Sequence, residues 1–147
     1  MPSRRKYIRR VFRHLHLGES DVLVDVGSGD GIVLRVASSF GARAVGYEIN
    51  PVLVLVSQFF SRRNQRVSVI TANFWKATLP EDTTIVYAFS VSRDELKLIR
   101  LMQREANRLE RPLKLLCLGS PFRSMEPVDS FDAYRLYAFQ PLQVKKA

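Results

Sequence analysis

The chain holds one cysteine, two histidines and one tryptophan in 147 residues. A single thiol excludes an internal disulfide framework and suits a reducing compartment. Cys117 sits in the apolar run Leu115-Leu116-Cys117-Leu118 and reads as a small core residue. His14 and His16 with that one cysteine cannot supply a zinc site, so no metal is expected. No apolar run approaches the ~20 residues that span a bilayer. The longest, Val52 to Phe60, already contains Ser57 and Gln58. Acids are missing as well, for none precedes Glu19. The basic start is compatible with a mitochondrial transit peptide. Yet Ile8, Val11, Phe12 and Leu15 fall at i, i+3, i+4 and i+7, the spacing of a helix packing on a sheet. Residues 1–19 are therefore expected to open one domain spanning 1–147, in a mature cytoplasmic protein.

What is present fits a globular domain with room for one core: 46% hydrophobic and 25% charged residues. The net charge of +9 favours an acidic partner, whether RNA, a ribosome, an anionic membrane surface or an acidic protein. Extended apolar runs alternate with helical patterns, which predicts an α/β, Rossmann-like, doubly wound and mostly parallel sheet with helices on both faces. Strands are expected near Val22–Val26, Ala44–Ile49, Val67–Thr71, Thr84–Phe89 and Leu113–Leu118. A last strand near Tyr134–Phe139 has no helix before it and is expected to run antiparallel at or near the sheet edge. Helices are expected over Ile32–Phe40, Pro51–Arg63 and Arg93–Leu109. Asn50-Pro51 is an N-cap followed by proline at the first helical position. Ser92 and Glu95 have capping-box spacing. Ser120 to Asp132 reads as a long loop.

The motif that carries chemistry is Asp25-Val26-Gly27-Ser28-Gly29-Asp30-Gly31 at the end of the first strand, with Glu48 about twenty residues on. The glycines let backbone approach a ligand, and the later acid can accept from both ribose hydroxyls. A dinucleotide fingerprint would place its third glycine at position 32, which is Ile32. The G-x-G-x-G turn resembles motif I of the S-adenosylmethionine (SAM) methyltransferases. That resemblance assigns Asp25 to the amino group of the methionine moiety and Gly27, Ser28 and Gly29 to the sugar and amino-acid part, within a turn that Asp30 and Gly31 complete. Glu48 takes the ribose, and Asn73 with Phe74 or Trp75 meets the adenine edge, Trp75 reading equally well as a rim aromatic that covers the helix ends.

A narrower resemblance covers about positions 20 to 125. The strings Asp25–Gly31, Gly46-Tyr47-Glu48-Ile49-Asn50-Pro51 and Asn73-Phe74-Trp75-Lys76 are similar to successive motifs of one lysine methyltransferase family. It includes the mitochondrial enzymes acting on the ATP synthase c-subunit and the adenine nucleotide translocase, with prokaryotic relatives. The family's tyrosine–valine–proline segment survives at best as Tyr7-Ile8, its arginine after the turn is Ile32, and Asn73 replaces its usual acid. The resemblance implies SAM as methyl donor, S-adenosylhomocysteine as product and a protein lysine as acceptor. Residues after the fourth strand, Phe89, Ser90 and Val91, then lie beside the methyl group, and Phe122 and Tyr7 complete an acceptor pocket. The Asn/Asp-Pro-Pro-Tyr motif of enzymes that methylate adenine or glutamine amino groups is absent, for the chain reads Phe89-Ser90-Val91-Ser92 there.

Lys97, Arg100, Arg104, Arg108 and Arg111 recur at helical spacing and form one basic face. It reads either as a solvated surface or as a track for a phosphate backbone. Two alternatives to protein-lysine methylation therefore stand beside it: an RNA (tRNA or rRNA) methyltransferase, and a non-catalytic module on the same fold.

Overall fold

The computed structural model describes residues 4–89 and 92–142. Seven strands form one sheet in the order β3-β2-β1-β4-β5-β7-β6. They are β1 (Val22–Val26), β2 (Arg43–Glu48), β3 (Val67–Thr71), β4 (Ile85–Phe89), β5 (Leu113–Leu118), β6 (Asp129–Phe131) and β7 (Tyr134–Phe139). The first five run parallel; β7 is antiparallel to β5, and β6 to β7. The helices are α1 (Arg4–His14), α2 (Ile32–Ser39), α3 (Pro51–Phe60) and α4 (Glu95–Leu109). Strand order reverses beside β1, so the crevice between the C-terminal ends of β1 and β4 is the place where an open α/β sheet binds ligands.

The central strands are apolar on both faces because both are covered. On one face Val24, Val45, Val86, Leu115 and Tyr137 lie under Leu98, Met102 and Ala106 of α4. On the other, Leu23, Ala44, Ile85 and Leu116 lie under Ile8, Val11 and Phe12 of α1 and Val33, Leu34 and Val36 of α2. Cys117 is a buried free thiol within the first cluster.

The structure departs from the sequence reading in three places. The stretch that reads as a long loop contains β6, which pairs with β7 across the two-residue turn Asp132-Ala133, with Asp132 at φ +51°. Three residues are too few to show an alternating pattern. Second, α3 stops at Phe60 rather than Arg63, with Ser61 as its C-cap. Third, Glu95 does not close a capping box with Ser92. Ser92–Asp94 is a 3-10 turn, and the Glu95 carboxylate accepts from Arg123 N–H at 2.7 Å, Ser124 N–H at 3.2 Å and the Ser124 hydroxyl at 2.7 Å. These bonds, the Ser124 hydroxyl foremost, hold its pKa below the ordinary carboxylate range.

Part of the expected basic face is structural. Glu105, 1% exposed at its side chain, is met by Arg108 Nε at 2.6 Å, and Arg108 also donates to the Leu79 carbonyl at 2.8 Å. Arg111, beyond the end of α4, donates to the Glu81 carbonyl. Replacing Arg108 with Met leaves a buried carboxylate without its main partner. The change is expected to cost about 3 kcal/mol in urea unfolding, while Arg100→Met, on the exposed face, stays within about 0.5 kcal/mol.

Candidate active site

The turn after β1 is folded back onto β2. Gly27 and Ser28 both donate to the Tyr47 carbonyl, at 2.8 and 3.1 Å. Glu48, at the end of β2 and 8% exposed, then crosses to the turn. Its Oε1 accepts from Gly29 N–H at 2.9 Å and its Oε2 from Asn50 N–H at 3.0 Å. Asn50 in turn caps α3 by accepting from Val52 N–H at 3.0 Å. Tyr47 is buried and its hydroxyl donates to the Thr78 carbonyl at 3.2 Å, tying β2 to the segment before β4.

The glycines divide by role. Gly27 (φ +76°) and Gly29 (φ +55°) need the left-handed region, and a Cβ on either would meet no atom within 4 Å. The backbone there faces open space. At Gly31 (φ +84°) a Cβ would stand 2.1 Å from Ser57 Oγ of α3, and at Gly46 one would stand 2.5 Å from Ser28 Oγ. These two are demanded by close packing that seats the turn on β2 and α3. Ser28 is buried, and its hydroxyl lacks a partner among the described residues.

Asp25 is 4% exposed; its backbone pairs with β2 and β4, and its carboxylate makes no hydrogen bond among the described residues. Burial pushes its carboxyl up to about 7; the positive charge of Arg4, at the start of α1, pulls the other way. Asp30 is exposed and accepts from Ile32 N–H at 3.2 Å, while its carbonyl accepts from Arg35 at 2.7 Å. Asn73 caps the 3-10 turn Phe74–Lys76 by accepting from Trp75 N–H at 3.1 Å. Phe74 is buried against Tyr47, with ring centroids 6.0 Å apart.

Beside this turn lies a cavity of about 210 Å³ lined by Val26, Trp75, Ala88, Phe89, Asp94, Leu98 and Phe122. It brings together Phe89 and Phe122, as the acceptor reading expects, and adds Trp75, which the sequence motifs place at the adenine edge. Asp94 and Leu98 were not singled out; their spacing on a helix start carries no signal distinct from packing. Phe122 is held by stacking on Tyr137 at 4.2 Å and by its N–H donating to the Tyr137 hydroxyl at 2.8 Å. Phe89 is 67% exposed at the mouth. Lys97 Nζ lies 4.4 Å from the Trp75 ring centroid, a cation–π contact. Tyr7 is 40% exposed on α1 and is not on the lining. Ser90 lies outside the described residues.

The pH dependence of Asp25 has a definite sign. Its raised folded value means the native state binds more protons than the unfolded chain between about pH 4 and 7, so stability falls as pH rises through that window. Asp25→Asn is therefore expected to stabilise the protein at pH 8 by about 2–4 kcal/mol and to leave it unchanged at pH 4. Thermal melts at the two pH values measure this.

No protein-family profile matches the chain. It is 32% identical over 130 residues to the human ATP synthase C-subunit lysine N-methyltransferase, covering 86% of this chain and 54% of that protein. With "Protein-lysine N-methyltransferase" of Saccharolobus islandicus it shares 27% identity over 101 residues, covering 65% and 63%. It therefore spans about half to two thirds of the curated relatives it matches. Among solved structures, an RNA methyltransferase from Salinibacter ruber with S-adenosyl-L-homocysteine superposes with a TM-score of 0.81 at 23% identity, covering 100% of this chain and 98% of that one. The 23S rRNA methyltransferase ErmE superposes at 0.64 with 18% identity, covering 80% and 47%. The chain has the Rossmann-like fold of class I methyltransferases, and its sequence is similar to lysine N-methyltransferases.

Proposed function

We propose that the protein is a SAM-dependent methyltransferase that N-methylates lysine on a protein. The residues fit the donor. Open space stands where a Cβ at Gly27 or Gly29 would be, so a ligand can lie against that backbone. Asp25 is a buried carboxylate without a hydrogen bond among the described residues, which a cationic amino group satisfies. Each Glu48 oxygen accepts one backbone N–H and keeps a lone pair for a ribose hydroxyl. When bound, SAM supplies an electrophilic methyl group on a sulfonium. Asp30, Gly31 and Asn50 hold the turn and the start of α3 around it, and Asn73 and Phe74 border its adenine.

The observation that carries the lysine reading is the cavity beside the turn. Its walls are aromatic and aliphatic, Asp94 is on its lining, and the Trp75 ring already holds an alkylammonium, that of Lys97. A lysine must lose its proton before it attacks. Val26, Ala88, Leu98 and Phe122 give the low-polarity surroundings that lower an amine's pKa. Asp94, on the same lining, attracts the incoming ammonium, whose proton passes to solvent before the amine attacks, and the aromatic walls hold the stem in line with the methyl carbon, within roughly 3–3.5 Å. Tyr7 and Ser90 remain candidates for the rim. The single buried thiol is in keeping with a reducing compartment such as the cytoplasm.

RNA as acceptor is a second reading, supported by the net charge of +9 and the exposed cations Lys97, Arg100 and Arg104 of α4. Incubation with radiolabelled SAM and cell extract separates the two. Protease treatment is expected to release the label and RNase to leave it. Release by RNase would overturn the lysine reading, and SAM binding without any transfer would make the chain a non-catalytic module.

Two substitutions divide donor from acceptor. Glu48→Ala is expected to weaken SAM binding more than about tenfold by calorimetry, through lost charge-assisted hydrogen bonds; unchanged affinity would remove the ribose assignment. Phe89→Ala is expected to lower turnover about tenfold with SAM affinity within about twofold. Equal losses in both would mean that Phe89 serves the donor instead.

A further inference from the structure

Helix α3 presents an apolar face to solvent. Only Val54 and Ser57 of its residues are buried, while Val52 is 64% exposed, Leu55 66%, Phe59 59% and Phe60 61%. Ile49 before the helix (69%) and Ile70 on the edge strand β3 (44%) lengthen the exposed apolar stretch. The helix itself carries no charge. An exposed apolar patch of this kind on a globular protein marks an interaction surface.

The charge around the patch is mostly positive, with Glu19 and Asp30 as the acids among its arginines. No acid occurs between Glu48 and Glu81, and Arg62, Arg63 and Arg66 follow α3 directly, all exposed. Two guanidiniums rest on the exposed rings: Arg62 lies 4.3 Å from the Phe59 centroid and Arg35 of α2 lies 5.4 Å from that of Phe60. Arg35 also feels Arg5 of α1, whose like charge adds to burial in lowering its pKa against the opposing pull of Asp30. The cationic rim thus reaches towards the basic helix α1.

We infer that α3, with Ile49, Ile70 and its arginine rim, docks the protein onto an anionic lipid bilayer surface. Bulky apolar side chains on one uncharged helix face, bordered mainly by arginines, match the boundary between headgroups and acyl chains in both polarity and charge. A second copy of the chain fits poorly, because a two-fold contact on this patch would set Arg62, Arg63 and Arg66 of the two copies against each other. RNA would not cover Val52, Leu55 or Phe59. Docking would place the membrane next to Asn50, which caps α3 two residues after Glu48.

The test is co-sedimentation of the full chain with phosphatidylcholine vesicles, with and without phosphatidylserine, and sizing of the protein alone. Binding is expected on the anionic vesicles, weaker on neutral ones, and reduced by salt. The double variant Leu55→Asp/Phe59→Asp is expected to lower binding at least about tenfold with an unchanged melting temperature, since both side chains are exposed. Arg62→Ser/Arg63→Ser/Arg66→Ser is expected to remove the preference for phosphatidylserine. Three results overturn the proposal: no binding by the wild type; binding that survives Leu55→Asp/Phe59→Asp but is lost in Arg5→Ser/Arg9→Ser/Arg13→Ser; or a dimer that the double variant dissociates, with no vesicle binding.

Discussion

The carboxylate of Glu48 joins the three pieces of backbone on which the site depends. Through Gly29 N–H it fixes the glycine turn, through Asn50 N–H it fixes the chain leaving β2, and Asn50 then starts α3 by capping Val52. Charged hydrogen bonds of this kind are short and strong because one partner is ionised. The turn could not take this shape with larger residues. A side chain at Gly46 would strike Ser28, and one at Gly31 would strike Ser57. The strand, the turn and the helix are therefore seated on one another by two missing side chains and held by one present acid.

Asp25 is the counterpart of Glu48 and its opposite in circumstance. Both acids are nearly buried at the same turn, yet Glu48 accepts from two backbone N–H groups, whereas Asp25 accepts none among the described residues. Burial without hydrogen bonds favours the neutral form, which is why the Asp25 carboxyl is pushed up to about 7. A ligand bringing a positive charge to Asp25 reverses that preference and gains more than it would from a carboxylate already satisfied. On the proposed reading, the turn would select for the charge of what it holds as well as for its shape.

Much of this was legible in the sequence, and the failures have definite causes. The limits of β1, β3, β5 and β7 match the expected runs to the residue, because each is a short run, rich in β-branched or aromatic residues except in β5, with turn-forming or polar residues close at its ends. The glycine turn was legible because it is local: its glycines and Glu48 are set by spacing along one β–α–β unit. Spacing misled at Ser92 and Glu95, where a capping box and a long-range clamp leave the same signature. Glu95 instead bonds Arg123 and Ser124, 28 and 29 residues away. Nor could sequence tell which faces of α3 are covered. A helix apolar all round is ordinarily buried, and only the packing shows that Val54 and Ser57 alone are.

The two halves of the proposed site differ in how they are built, and this explains why the proposed donor side is easier to read than the proposed acceptor side. The proposed donor side is set by a short-range turn in which Gly27 and Gly29 need positive φ and Gly31 and Gly46 leave no room for a Cβ. The cavity proposed for the acceptor draws its walls from β1, the 3-10 turn at Trp75, β4, the turn at Asp94, α4 and the loop bearing Phe122. That loop is held by Glu95 and Tyr137 rather than by its own sequence. Because Glu95 grips backbone N–H groups at Arg123 and Ser124, two of its three bonds are indifferent to the loop's side chains. The loop's side chains can therefore change while its path is kept. On the proposed reading, such a division would leave the sheet and the turn fixed and make acceptor choice a matter of a few side chains, Trp75, Phe89, Asp94 and Phe122 among them, carried on elements that distant contacts position.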